Sequence, residues 1–202
     1  MLEQEETYNP WKQGNVKLIH KKNDKSKLGN YRPLTLTSCF HKLFTRILNT
    51  RLRSMSEEAK LLPEEQQGFR EGREPGDNVF VLMTLLEKSK YMKKPLHMSF
   101  IDITKAYDSV CRKRLWFKMS QMNFPPKFIN ILKHMYKDDS IETEMGCIKT
   151  SKVYPRRGLR QGCNMSPLLF DIYISELSNR LSSLKIGVQL WDLKISHLGA
   201  VF

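Results

Sequence analysis

The chain has 202 residues, enough for one domain or one and a half, and its 40% apolar and 10% aromatic content supports a packed core rather than a disordered chain. No run approaches the ~18 apolar residues that span a bilayer, and the four cysteines (Cys39, Cys111, Cys147, Cys163) lie far apart with no C-x-x-C pair, which excludes the usual zinc spacings and argues against a disulfide framework. Thirty-four Lys and Arg against 21 Asp and Glu give a net charge of +13, leaving a basic globular protein that meets a polyanion.

The N-terminus, MLEQEETYNP, is acidic where a signal peptide is basic and then apolar, so an intracellular, non-secreted protein of nucleus or cytoplasm is expected. Residues 1–10 form an acidic tail. Residues 11–53 hold eleven Lys and Arg and one acid, Asp24, so most of the charge excess sits there. Backbone phosphates are a common target of such a concentration; a solvated lysine face is the plainer alternative.

Residues 16–19 read as a strand and 20–30 as a basic loop. Phe40, Leu43, Phe44, Ile47, Leu48 and Leu52 follow helical spacing, with Thr37 or Ser38 as the N-cap. Residues 63–76 are loop-like, and Asp77 caps a second helix with Val79, Leu82, Met83 and Leu86 on one face. Residues 96–103, LHMSFIDI, read as a strand, with Asp102 closing the stripe Leu96, Met98, Phe100. Helices are expected at about 106–121 and 126–137, and a hairpin at 141–155 around Gly146. A long helix then starts at Ser166-Pro167 with the stripe Phe170, Tyr173, Leu177, Leu181, Leu184. One or two short strands are expected in the tail from 185 to 202. The mixture suggests an α+β fold.

Four segments carry chemistry. FIDITKAYDSV places Asp102 at a strand end, where a carboxylate suits a divalent ion, with Asp108 six residues on; a helix cap or structural acid is the alternative. RRGLRQGCNMSPLLF sets Gly158 and Gly162 where backbone meets a ligand closely, and Gln161 offers both a donor and acceptors. NYRPLTLTS holds Arg32 in an extended segment, able to fork onto a triphosphate. In QQGFREGR, Arg70 and Arg73 flank glycines and could track a nucleic-acid backbone. Each alone reads as readily as an ordinary loop, cap or surface arginine.

In this order and spacing, from about Trp11 to Leu181, the four segments resemble a reverse transcriptase of the non-LTR (LINE-type) retrotransposon branch; a group II intron or other prokaryotic enzyme is the runner-up. NYRPLTLTS and QQGFREGR resemble fingers segments, FIDITKAYDSV palm motif A, and RRGLRQGCNMSPLLFDIYI motif B. The resemblance implies a partial right-hand polymerase without a thumb. Residues 11–95 would be fingers-like, and 96–202 an incomplete palm. It makes Asp102 the catalytic metal ligand, Tyr107 the aromatic beneath the incoming sugar that excludes a 2′-hydroxyl, and Gln161 and Gly162 the motif B pair at the nucleotide. Arg32 becomes the triphosphate arginine and Asp108 a structural acid. Lys17, Lys21, Lys22, Arg70 and Arg73 are candidate nucleic-acid contacts.

The implied cofactor is Mg²⁺ or Mn²⁺, two ions in the complete family site. The implied partners are an RNA template, a DNA primer and deoxynucleoside triphosphates, with no membrane; oligomeric state stays open. REPGD at 73–77 departs from the usual R-S-T-x-D, and Met165 replaces the usual Leu. The family continues from motif B to a hairpin bearing Phe/Tyr-Ala-Asp-Asp, motif C, whereas here KISHLGAVF is followed by no such pair. A domain fragment cut before motif C and inactive alone is therefore expected. The alternatives are a non-catalytic RNA- or template-binding relic and a non-functional product of a decayed element.

Overall fold

A computed structural model describes residues 5–70, 72–145, 148–184 and 186–199. In chain order its elements are β1 (Gln13–His20), β2 (Tyr31–Leu36), α1 (Cys39–Glu58), α2 (Pro75–Met92), α3 (Ala106–Ser109), α4 (Arg112–Gln121) and α5 (Pro126–Tyr136). Then come β3 (Ser140–Met145), β4 (Ile148–Lys149), α6 (Ser166–Ser183), β5 (Val188–Leu190) and β6 (Leu193–Ile195). Two compact units divide the chain, each from two stretches: Met1–Leu52 with Lys105–Ser166, and Arg53–Thr104 with Pro167–Phe202.

The first unit is built on a sheet of order β2-β1-β3-β4. β1 pairs antiparallel with β2 (Val16 opposite Thr35, Lys17 opposite Leu34, Ile19 opposite Arg32) and parallel with β3. Period two sorts the side chains: Val16 and its partner Thr35 are buried on one face, while Lys17, Ile19 and Arg32 share the other. Helix α5 follows Pro125-Pro126, with proline at its first position as helix starts favour. It buries Phe128, Ile129, Ile131, Leu132, Met135 and Tyr136, while α4 contributes Leu115, Trp116 and Met119. A fully buried side chain such as Leu115 or Leu132 contributes about 1.5–3 kcal/mol.

Two expectations for this unit are corrected. The single helix expected over 106–121 is two, α3 and α4, because Val110 between them is extended and gives its carbonyl to the Gly158 N–H (2.9 Å) instead of a helical partner. Ser38 does cap α1, its Oγ accepting from the His41 N–H at 3.2 Å. The buried face of that helix, however, runs through His41, Thr45, Leu48 and Leu52, leaving Phe40, Leu43 and Ile47 exposed. Two polar residues of that face meet partners in the fold: Thr45 Oγ1 donates to the Lys42 carbonyl (3.1 Å), and His41 Nε2 meets Arg160 (3.4 Å), while the buried His41 Nδ1 has no partner among the described residues. Ser166 begins α6, and its Oγ donates to the Arg160 carbonyl at 2.6 Å. The hairpin expected at 141–155 is present as β3 and β4; its turn at Gly146 lies outside the described residues.

In the second unit α2 starts two residues before Asp77. Glu74 is the N-cap, and a reciprocal box joins it to Asp77, whose Oδ2 accepts the Glu74 N–H (3.1 Å). The expected face is corrected too, since Leu85 is buried while Val79, Met83 and Leu86 are exposed. The first turns of α6 bury Leu168, Leu169, Phe170, Ile172 and Ser175, whereas Leu177 and Leu184 of the expected stripe are exposed. β5 and β6 form the antiparallel hairpin of the tail. The expected strand at 96–103 is not formed: among the described residues nothing pairs with it, and Phe100 and Ile101 are 81% and 79% exposed. An extended segment becomes a strand only when a neighbour takes up its N–H and C=O groups.

Candidate nucleotide-binding site

The loop 156–165 in the first unit is stitched to its neighbours along its length. Gly158 N–H bonds the Val110 carbonyl and Leu159 N–H the Tyr107 carbonyl, both at 2.9 Å, which fastens the loop to α3. The Gln161 carbonyl accepts from Thr35 N–H (2.9 Å), which fastens it to β2. Gln161 Nε2 reaches Asp108 Oδ1 at 3.2 Å. Tyr107, Asp108, Gln161 and Gly162 are therefore brought together. Arg32 lies two residues before Leu34 on the same strand face, roughly 7 Å along the strand. Leu34 is the residue against Gly162, where an added Cβ would stand 3.2 Å from its Cδ1.

The two glycines are required. Gly158 (φ +93°) has the backbone of Asp108 and Tyr107 where a Cβ would go, at 3.2–3.3 Å. At Gly162 (φ +102°) the Cβ would lie 2.9 Å from the Thr35 carbonyl oxygen. Both take positive φ, open to glycine without strain.

Beneath the loop is a buried ionic node that the sequence reading missed. Asp139, 2% exposed, receives a forked bond from Arg112 (2.7 and 3.1 Å) and faces Arg160 Nε at 3.6 Å. Arg112 also donates to the carbonyls of Gly158 (2.8 Å), Tyr136 (3.1 Å) and Pro155 (3.0 Å). Arg160 donates to those of Trp11 (3.0 Å) and Lys12 (2.9 Å). The Tyr136 ring lies under both guanidiniums, 4.7 Å from Arg112 and 5.8 Å from Arg160, and burial pushes its hydroxyl up. Burial first, then the Arg160 charge, holds His41 down at about 4, so it faces Arg160 as a neutral ring. A signal for the node was present: Asp139 continues the spacing Phe128, Leu132, Met135, a carboxylate on an apolar stripe like Asp102.

Among the other expected contacts, Arg32 is exposed with no ion pair among the described residues, and Lys21 and Lys22 are exposed in the turn after β1. Lys17 is paired with Glu144 at 3.0 Å. Arg73 is engaged by Glu64. Arg70 is corrected from a nucleic-acid contact to a structural residue. It is 7% exposed and forks onto Glu57 (2.9 and 2.7 Å) while donating to the Pro63 carbonyl (2.8 Å). That hydrogen bond holds the Glu57 carboxyl below its usual range. Asp102 is exposed in the second unit, on the unpaired 96–103 segment.

A family model described as reverse transcriptase (RNA-dependent DNA polymerase) matches residues 19–196. The chain belongs to the reverse transcriptase family. This reverse transcriptase domain is 29% identical over 171 residues to the probable RNA-directed DNA polymerase from transposon BS of Drosophila melanogaster, covering 83% of this chain and 18% of that one. It is 28% identical over 191 residues to the Pol polyprotein from a type-1 retrotransposable element R2 of Popillia japonica, covering 94% and 26%. The resemblance to the non-LTR retrotransposon branch thus holds, and the chain spans about a quarter or less of these relatives' length. Its fold is similar to a solved apo telomerase from Candida tropicalis, at a TM-score of 0.55 and 13% identity over 86% of this chain and 40% of that one.

Reverse transcriptases generally depend on divalent metal. The described residues do not by themselves fit a two-ion site, since no three His, Cys, Asp or Glu among them are grouped to hold an ion. Among the same residues no helix is long and apolar enough to cross a membrane.

Proposed function

We propose that this chain supplies the nucleotide-facing part of an RNA-directed DNA polymerase, with residues 11–95 as fingers and 96–202 as part of the palm. In this reading the incoming deoxynucleoside triphosphate lies against the 158–162 loop. Arg32 takes its phosphates, Tyr107 lies under its sugar, and Gln161 with the Gly162 backbone meets its base end. Asp108 holds the Gln161 amide and serves structure. The observation that carries the reading is the stitching of one loop to both β2 and α3, which brings Gln161 and Gly162 beside Tyr107, Asp108 and the strand that carries Arg32. Lys21, Lys22 and, with less free charge, Lys17 and Arg73 would meet template and primer phosphates.

Asp102 would be the metal-bearing carboxylate, with Mg²⁺ or Mn²⁺ as the ion. It belongs to no group of three or more potential metal ligands among the described residues. The 202-residue chain alone is therefore expected to extend no primer on an RNA template; template-dependent synthesis by it would sink that part of the reading. Nucleotide binding tests the rest. A fluorescent deoxynucleotide analogue titrated into the chain should bind; Arg32→Ala should weaken it about tenfold or more, the worth of a hydrogen bond to a charged group, and Gln161→Ala by about three- to tenfold, the worth of a neutral one. No binding by the wild type, or equal binding by both variants, overturns the assignment.

A further inference from the structure

The second unit carries a basic, aromatic patch that the nucleotide site does not use. Lys88, Lys90, Lys93 and Lys94 crowd the C-terminal end of α2, and Lys90, Lys93 and Lys94 are exposed with no ion pair among the described residues. Tyr91, in their midst, is 90% exposed. Lys88 Nζ donates to the Gln189 carbonyl on β5 (2.8 Å), which ties the helix end to the β5–β6 hairpin. The hairpin turn is Trp191-Asp192, with Trp191 72% exposed. Tyr91 is one helical turn from Lys88 and Trp191 two residues from Gln189, the two residues that bond joins.

Lysines at a helix C-terminus also complement the helix dipole, which accounts for the charge but not for the rings. Trp191 is the stronger sign. It holds a left-handed backbone (φ +50°) at the first position of a two-residue hairpin turn, where glycine is favoured. A bulky ring held there and left in solvent gains nothing from folding. Protein-binding faces are depleted in lysine, whereas exposed rings among lysines match the stacking platforms that bind unpaired bases while cations track the phosphates.

We propose that the end of α2 and the β5–β6 hairpin form a platform for single-stranded nucleic acid. The bases stack on Trp191 and Tyr91, and Lys90, Lys93 and Lys94 follow the backbone. The platform is independent of Tyr107, Gln161 and Arg32, so either assignment can fail alone.

The test is photo-crosslinking of the full chain to short oligo-deoxythymidylate and oligo-uridylate carrying 4-thio bases, with peptide mapping, beside anisotropy titrations over a salt series. Adducts are expected on the peptides holding Trp191 or Tyr91, and the comparison of the two oligonucleotides tells whether DNA or RNA is preferred. Trp191→Ala should weaken binding about tenfold at an unchanged salt slope. The combined Lys90→Gln, Lys93→Gln, Lys94→Gln variant should make the slope shallower by about 2, at about 0.7 per single-strand phosphate contact. Lys21→Gln with Lys22→Gln, in the other unit, should leave the Trp191 and Tyr91 adducts in place. Absence of adducts at both rings in the wild type overturns the proposal whatever the variants do, and leaves the patch a protein- or lipid-docking face. So do wild-type affinity and slope in both patch variants.

Discussion

Replacing Asp139 by alanine removes the one anion that two buried guanidiniums share. Asp139 is 2% exposed, and the Arg112 and Arg160 side chains retain only 10% and 6% exposure, so water cannot replace it. Breaking a buried pair by deleting one partner costs ~3–5 kcal/mol, because a charge is left buried and uncompensated. Here two are left, although the carbonyls they already meet offset part of the penalty. For a chain of this size that corresponds to a fall in Tm of roughly 6–20 °C. Urea denaturation followed by tryptophan emission reads the right unit, because Trp116 packs 5.8 Å from the Tyr136 ring beneath the node. Asp138→Asn is the control. Asp138 is exposed in a left-handed conformation that asparagine tolerates, so its change should stay within about 0.5 kcal/mol. A local readout accompanies the global one: Arg112 Nε holds the Gly158 carbonyl, so the node's loss should speed trypsin cleavage after the exposed Arg156 and Arg157. An Asp139→Ala variant within 1 kcal/mol of Asp138→Asn, with an unchanged cleavage rate, would refute the claim that the node fixes the loop.

Gly162→Ala should cost about 1–3 kcal/mol for its left-handed backbone alone and add a clash with the Thr35 carbonyl; the urea midpoint measures the cost, and nucleotide-analogue affinity should fall with it. Arg70→Ala should destabilise by about 1.5–3 kcal/mol, measured the same way, by removing the fork to Glu57 and the bond to Pro63, without changing the salt slope of nucleic-acid binding. Ser38→Ala should cost about 1 kcal/mol as the lost cap of α1, read from the urea midpoint. Asp171, 1% exposed on α6, is pushed up to about 8 by burial, against the opposing pull of Arg70 and the Gln66 amide (3.0 Å). Between an unfolded pKa near 4 and that value the folded chain keeps a proton the unfolded chain has lost, so stability falls as pH rises through this window and levels off above it. Asp171→Asn does not titrate, and its advantage over the wild type should grow from pH 4 to 8 by on the order of 3–5 kcal/mol in paired urea midpoints; a flat difference would mean that Asp171 is ionised in the fold.

The legible parts of this fold are those set by local periodicity. Strand β1, the cap at Ser38, helix α5 after its two prolines and the entry to α6 follow from residues within a turn or two of one another. What the sequence did not disclose is which face turns inward. On α1 the apolar stripe predicts Phe40, Leu43 and Ile47 inside, yet the buried face includes His41 and Thr45, and His41 Nε2 meets Arg160, over a hundred residues away in the chain. The same holds for Arg70, which a motif reading places on nucleic acid and the fold places on Glu57 and Pro63. An arginine between glycines looks alike in both roles until its partners are known.

Asp102 and Asp139 then make an instructive pair, since both are carboxylates that interrupt an apolar stripe. At Asp139 the interruption is answered by two arginines, and the result is structure. Among the described residues no strand pairs with the segment that holds Asp102, its apolar neighbours Phe100 and Ile101 face solvent, and the carboxylate is exposed, as the proposed metal-bearing role needs. A break in the pattern therefore marks a residue whose partner is non-local, and only the partner separates a buried strut from a reactive group. By that criterion the loop at 158–162 occupies a middle position. Its backbone is fastened to β2 and α3 at Gly158, Leu159 and Gln161, while Arg32 and the rest of the Gln161 amide remain open to a ligand. That combination of fixed main chain and uncommitted side chains is what preorganised binding requires.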